Sequence, residues 1–367
     1  MPLRSCVLVF AVLLFAHAAH AATQPVEAPP TLAAVDVQGE MPGPGLWQVR
    51  RGDHVLWLVG ALSPLPEAMQ WRSAELDARL EEADAILGGP GFVLGTGRGM
   101  LHAMTLLPSV MGVRKLPERE RLADVLTPEL YARWSELKAE HLGRDRGVER
   151  RRPLFAAQKL HNKAVQGAGL SFGSPVGEHI GKAQKRRDLP RIDAFFETII
   201  EDPRQAIREF KRGELDDIEC FERTLLRLES DLALLTARAE AWAIGDVEAL
   251  RTLHDTDPAG ACIDALSRVS VMQKNGLSDV QAQIRSNWLD AADEALEAHR
   301  STVGAVPIAM LLDTGPDGVL AAFTARGYRV LGPDEVDEAA LDEAALDEYA
   351  VEEAEVEAVQ VQSAAQE

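Results

Sequence analysis

Apolar and polar positions alternate along residues 46–59, LWQVRRGDHVLWLV, and this predicts a hairpin that turns at Arg51-Gly52-Asp53. Its second arm continues through LWLVGALSPLP, residues 56–66, where Gly60, Ser63, Pro64 and Pro66 end the apolar run. The pattern then becomes helical from Glu67 to Asp84, with Leu76, Leu80 and Ala83 at helical spacing. Ala85-Ile86-Leu87 reads as a short strand that ends in Gly88-Gly89-Pro90-Gly91. Thr127-Pro128-Glu129 is a helix start, since Thr can cap, Pro fits the first turn and Glu favours the dipole. From there to about Asp257 most segments are helical, including ERTLLRLESDLALLTARAEAWA with its run of leucines. A further helix follows through Trp288 to His299, then a buried strand VPIAMLL at 306–312, a short helix from Gly318 to Arg326 and a last strand at Tyr328–Leu331. Strands at both ends and helices between them predict an α/β fold of mixed α+β character. One central mixed sheet is formed by the N- and C-terminal halves, with a large helical middle.

The two ends carry a different signal. MPLRSCVLVFAVLLFAHAAHA has a positive Arg4, an apolar core from Cys6 to Ala16 and a small-x-small site at Ala19-His20-Ala21. It reads as a secretory signal peptide, residues 1–21, and implies a periplasmic or secreted protein. No later stretch is long and apolar enough to be transmembrane. Residues 22–45 read as a flexible Pro/Ala/Gly-rich leader. The formal net charge is −20, and residues 334–367 hold thirteen Asp and Glu with no Lys or Arg. Their five-residue repeat matches neither the helix nor the strand period, so an acidic disordered tail is expected from residue 333 onward.

Residues 141–191 oppose this charge, with twelve Lys and Arg against four Asp and Glu. An exported acidic protein is a poor nucleic-acid binder, so this segment is a solvated face or a contact for an anionic envelope surface or the chain's own tail. Cys6 leaves with the signal, and Cys220 and Cys262 remain. They are either two buried thiols or one disulfide, whose loop of 43 residues would be worth roughly 4 kcal/mol.

Several short stretches, taken in order, resemble the TraB/GumN family, which includes the Tiki proteases. GLWQVRRGDHVLWLVGALSPLP is similar to its opening hairpin, and EADAIL to the segment after its first helix. LADVLTPELYARW and AEAWAIGDVEAL match later helices, and AMLLDTGPDGVLAAFTARGYRV its closing motif. The resemblance covers roughly residues 46–332. It implies a divalent metal held by two His and a Glu at adjacent strand ends, with an open position that activates water.

Carried over position by position, those ligands are absent: the first His falls on Ser63, the Glu on Gly89 and the second His on Leu312. The resemblance therefore implies a degenerate site, a pseudoenzyme without metal or cofactor, that binds a peptide, glycan or protein partner near Gly60, Ser63, Gly89, Leu312 and Asp313. The alternative is a hydrolase, either with a relocated metal site near Asp313 or His102, or built on serine. Gly169-Leu170-Ser171-Phe172-Gly173 has the G-x-S-x-G spacing, but a helical stretch precedes it where the elbow needs a strand, so it reads as a plain loop. Gly95-Thr96-Gly97-Arg98-Gly99 lacks the phosphate-binding spacing, and the six tryptophans are scattered as core residues are.

Overall fold

The computed structural model describes residues 41–336, apart from 68, 70, 213–214, 231, 254–257 and 317. The signal segment, most of the leader and all but the first residues of the acidic tail lie outside it. Ten strands are described: β1 (Leu46–Arg51), β2 (His54–Ala61), β3 (Leu65–Pro66), β4 (Ala85–Leu87), β5 (Gly91–Gly95), β6 (Leu170–Ser171), β7 (Arg191–Ile192), β8 (Phe195–Ile199), β9 (Ser301–Pro307) and β10 (Arg329–Leu331).

Six strands form the central sheet in the order β10-β1-β2-β9-β4-β7. β2, β9, β4 and β7 are parallel neighbours, while β1 is antiparallel to β2 and to β10. The C-terminal strand β9 is thus inserted between two strands of the N-terminal half, in the register Val55↔Ser301 to Ala61↔Pro307. A parallel strand buried on both faces reads as a near-continuous apolar run, and β2 buries Leu56 through Gly60 without a break. The mixed sheet closed by both halves is the architecture the sequence pattern predicts. At the hairpin, Arg51 pairs with His54 and Gly52 takes φ +62°, the left-handed conformation that so short a turn requires.

Three elements differ from the sequence reading. The helix expected from Glu67 spans Ala74–Glu82, because Leu65 and Pro66 are paired with β6 and Ser73 sets the start by accepting from Leu76 N–H. The long helix at 222–243 is two, Ile218–Ser230 and Leu232–Ile244. The strand expected at 306–312 is a strand only as far as Pro307; Ile308–Leu312 is a helix. Proline cannot donate to the next ladder bond, and Ala309, Met310, Leu311 and Leu312 are good helix formers. Thr127 caps Pro128–His141 as expected, accepting from Leu130 N–H at 3.3 Å.

The ends of the body also extend past the expected boundaries. Residues 41–45, read as the end of a coreless leader, pack on the body, where Gly43 N–H donates to Ala243 O at 3.0 Å. Residues 333–336 are helical and Val336 is buried. Two cores result. One lies about the sheet and holds Trp47, Trp57, Trp242, Trp288 and Phe323. The other lies among the middle helices and holds Trp134, Leu160, Phe221 and Leu225. Cys220 and Cys262 are joined as a disulfide between the helices Ile218–Ser230 and Pro258–Ser267, with their Cα atoms 4.7 Å apart.

Candidate functional site

Parallel strands of an open sheet place their carboxyl ends along one edge, where ligands bind. Here β2 runs out at Ala61, β4 at Leu87 and β9, between them, at Pro307. Two buried indoles hold these ends. Trp242 Nε1–H donates to Gly60 O at 2.8 Å and Trp288 Nε1–H donates to Gly88 O at 3.0 Å. Gly60 leaves no room for a side chain, since a Cβ there would lie 2.8 Å from Ile308 Cγ1.

Ser63 is exposed on the loop after β2, and Gly89 is exposed just after β4. Leu312 ends the helix that follows β9 and is only 6 % exposed, so it serves the sheet core. Asp313 is exposed, and its Oδ1 accepts from Gly315 N–H at 2.9 Å, closing a turn. Ser63 and Gly89 thus follow the ends of β2 and β4, Leu312 and Asp313 lie one short helix beyond the end of β9, and of the four only Ser63 lines the cavity that opens there.

That cavity is about 920 Å³. Ala61 to Pro64 form one wall and Pro307 to Ala309 another. The remaining walls come from the helices Pro153–Gly167, Ile218–Ser230, Leu232–Ile244 and Pro258–Ser267, and from Phe172 and Ser174. The plain G-x-S-x-G loop thus contributes β6 and one cavity-lining ring: Phe172 lies 5.8 Å from the His161 ring. Most of the lining is apolar, including Leu154, Leu235, Ile263, Leu266 and Ile308. Besides Ser63 and Ser174, the polar lining is Gln158, His161, Asn162, Thr224, Arg227 and Arg238, with no Asp or Glu among the described residues.

Sequence reasoning missed this polar set. Gln158, His161 and Asn162 stand at i, i+3 and i+4 on the helix Pro153–Gly167, and Thr224 and Arg227 at i and i+3 on the helix Ile218–Ser230. Polar residues at that spacing share one face, and this was the available signal. Burial holds the His161 imidazole below its usual pKa, Arg227 beside it pushes the same way, and a hydrogen bond with Asn162 opposes them. His161 is therefore a neutral imidazole near pH 7. Arg227 is half-buried; its Nε is fully buried without a hydrogen-bond partner, and no ion pair engages it among the described residues.

At the positions that the resemblance assigns to metal ligands, the described residues offer little that could hold the implied metal. Ser63 offers a weak hydroxyl donor, Gly89 and Leu312 offer none, and no group of three His, Cys, Asp or Glu is placed to hold a metal among the described residues. The basic stretch 141–191 is partly neutralised locally. Arg186 pairs with Glu81, Lys159 with Asp145 and Arg191 with Asp193. No curated protein and no solved structure matches the chain. The model of the TraB/PrgY/gumN family matches residues 45–331, from the first strand of the sheet to the last. The chain belongs to the TraB/PrgY/gumN family.

Proposed function

We propose that this protein is an exported, non-catalytic member of its family that binds a peptide through the cavity beside Ser63, holding an apolar segment and an anionic group together. The observation that carries this reading is the cavity itself: apolar walls, Arg227 without a counter-charge, and no acidic residue in the lining among the described residues. Its volume lies in the usual range for ligand pockets. The apolar walls suit leucine-like side chains better than a glycan, and a carboxylate would pair with the Arg227 guanidinium that lines the cavity. The N-terminal residues 1–21 support export to a periplasm or the exterior. The substitution of Ser, Gly and Leu at the implied ligand positions supports the loss of metal chemistry.

One observation favours a second reading, a serine-based hydrolase: Ser63 and His161 line the same cavity. Neither a hydrogen bond between them nor a lining carboxylate to orient the imidazole is present among the described residues, so the activation that serine catalysis needs is missing.

Calorimetry with acetyl-trileucine and its C-terminal amide tests the proposal. The free acid should bind more tightly than the amide by roughly tenfold to a hundredfold, the worth of a hydrogen bond to a charged group. Arg227→Met should erase the difference. Equal binding of acid and amide would refute the reading, and covalent labelling of Ser63 by a fluorophosphonate would favour the hydrolase.

A further inference from the structure

Residues 85–117 contain no Asp or Glu, although the chain carries a net −20. Their centre is the helix Gly99–Met111, GMLHAMTLLPSVM, which has no charged residue. A surface helix ordinarily turns its apolar stripe inward. This one turns Leu106 inward, while Leu101 is 83 % exposed, Met104 and Met111 are each 63 % and Leu107 is 58 %. At about 100° per residue these four share an arc of roughly 120° on the side away from Leu106. The chain enters this helix from β5, which pairs with β8 in a two-stranded ribbon. Phe92, Val93, Leu94, Phe195 and Ile199 of the ribbon are exposed as well. An apolar surface of this extent marks a contact with a partner or a membrane.

The surroundings decide between those two. Arg98 precedes the helix, and Arg114 and Lys115 follow it. Lys115 forms an antiparallel bridge with Arg151, which brings Arg150 and Arg151 alongside. The helix Pro203–Arg212 packs beside it and exposes Arg204, Arg208 and Arg212 at four-residue spacing. None of these eight cations is in an ion pair among the described residues. The acidic groups nearby among the described residues are Glu118, Glu120, Glu197 on the ribbon itself, Glu201, Asp202 and Glu209, and Glu209 is engaged by Gln205 and Lys274. A second copy docked on the same face would bring like charges together. An anionic bilayer meets both features, taking the apolar stripe at its acyl boundary and the cations at its headgroups.

We infer that the helix Gly99–Met111 lies in the plane of an anionic membrane surface, seated by Leu101, Met104, Leu107 and Met111 and steered by the cations around it. Thirteen residues make a helix of about 20 Å, and no helix of the described residues is long and apolar enough to cross a membrane. The association is therefore peripheral. It is independent of the cavity reading, because no residue of this face lines the cavity.

Flotation of the full chain with vesicles tests the inference. It should float with equimolar phosphatidylcholine and phosphatidylglycerol and stay behind with phosphatidylcholine alone. Leu101→Ser, Met104→Ser and Leu107→Ser together should lower partitioning by about a hundredfold or more. Arg114→Gln with Lys115→Gln should lower it roughly thirtyfold at low salt, about fivefold per basic residue. All five positions are exposed, so the variants should keep the far-ultraviolet circular dichroism of the parent. The variants carry the same N-terminal segment as the parent, so a difference between them belongs to this face. Equal flotation of the triple serine variant and the parent would overturn the inference, as would indifference to phosphatidylglycerol. A solution dimer that the serine variant splits, without vesicle binding, would assign the face to a second copy instead.

Discussion

Asp217 offers a sharp test of the helical middle. It is 2 % exposed, and its Oδ2 accepts from Leu154 N–H at 2.7 Å. It thereby caps the helix Pro153–Gly167 from a distant part of the chain, since the adjacent Arg152 side chain does not cap. Arg152 in turn donates to Phe210 O and Lys211 O, so the pair ties three helices together. Burial pushes the Asp217 carboxyl up to about 6 from 3.8, against the pull of Leu154 N–H and Arg152. A carboxyl with a raised pKa is held more favourably when protonated. Its stabilising contribution is full below the unfolded value and is lost as pH rises through the folded one.

Two pH units or so at about 1.4 kcal/mol each come to about 3 kcal/mol, of which a little over 2 falls between pH 4 and pH 7. In Asp217→Asn the amide oxygen still accepts from Leu154 and nothing titrates. Any constant offset from Arg152 cancels when the two pH profiles are subtracted. Urea unfolding at pH 4, 5, 6 and 7 should show the parent losing stability relative to Asp217→Asn by about 2 kcal/mol as pH rises. With an m-value of about 3 kcal/mol/M that is a relative midpoint shift of about 0.7 M. Parallel profiles would show that the carboxyl is not buried as described, and an opposite slope would show that Arg152 dominates it.

Replacing Cys220 and Cys262 with Ala should lower stability by up to about 4 kcal/mol, the closure entropy of a 43-residue loop. Thermal unfolding with and without reductant checks this, and no difference would mean that the sulfurs are not bonded. Gly60→Ala should cost about 1–3 kcal/mol, because the new methyl group meets Ile308 and the end of β2 has little freedom to retreat. Its thermal midpoint should fall clearly below that of Gly89→Ala, where the nearest atom is Ala305 O at 3.5 Å.

The sheet was legible where local pattern and tertiary role agree. The β1–β2 hairpin announces itself by alternation and by Gly52, and Thr127-Pro128 announces its helix by cap chemistry. VPIAMLL misleads because a run of seven apolar residues suits a buried strand and a buried helix equally, and only the missing Pro307 donor marks the change. The cavity was the least legible part. Ser63 could be found from the strand end, but His161, Arg227 and Arg238 come from three separate helices and meet only through tertiary packing. Arg227 in sequence looks like any surface charge on an amphipathic helix. Leu312, which the resemblance places at a ligand position, is buried in the sheet core.

The place of β9 between β2 and β4 also sets an order of events for the newborn chain. When the N-terminus emerges first, β1 and β2 can pair at once through their short turn. The other edge of β2 has no partner until residues 301–307 appear, roughly 240 positions later. Bringing such distant segments together costs about 5 kcal/mol of chain entropy before any ladder bond forms. Pairings of that separation form slowly. The central layer therefore stays open for most of the time the polypeptide is being made. During that interval the apolar edge of β2, Leu56 to Val59, is open to wrong partners. Chaperone protection during synthesis should matter more for this protein than for one whose sheet closes from neighbouring segments.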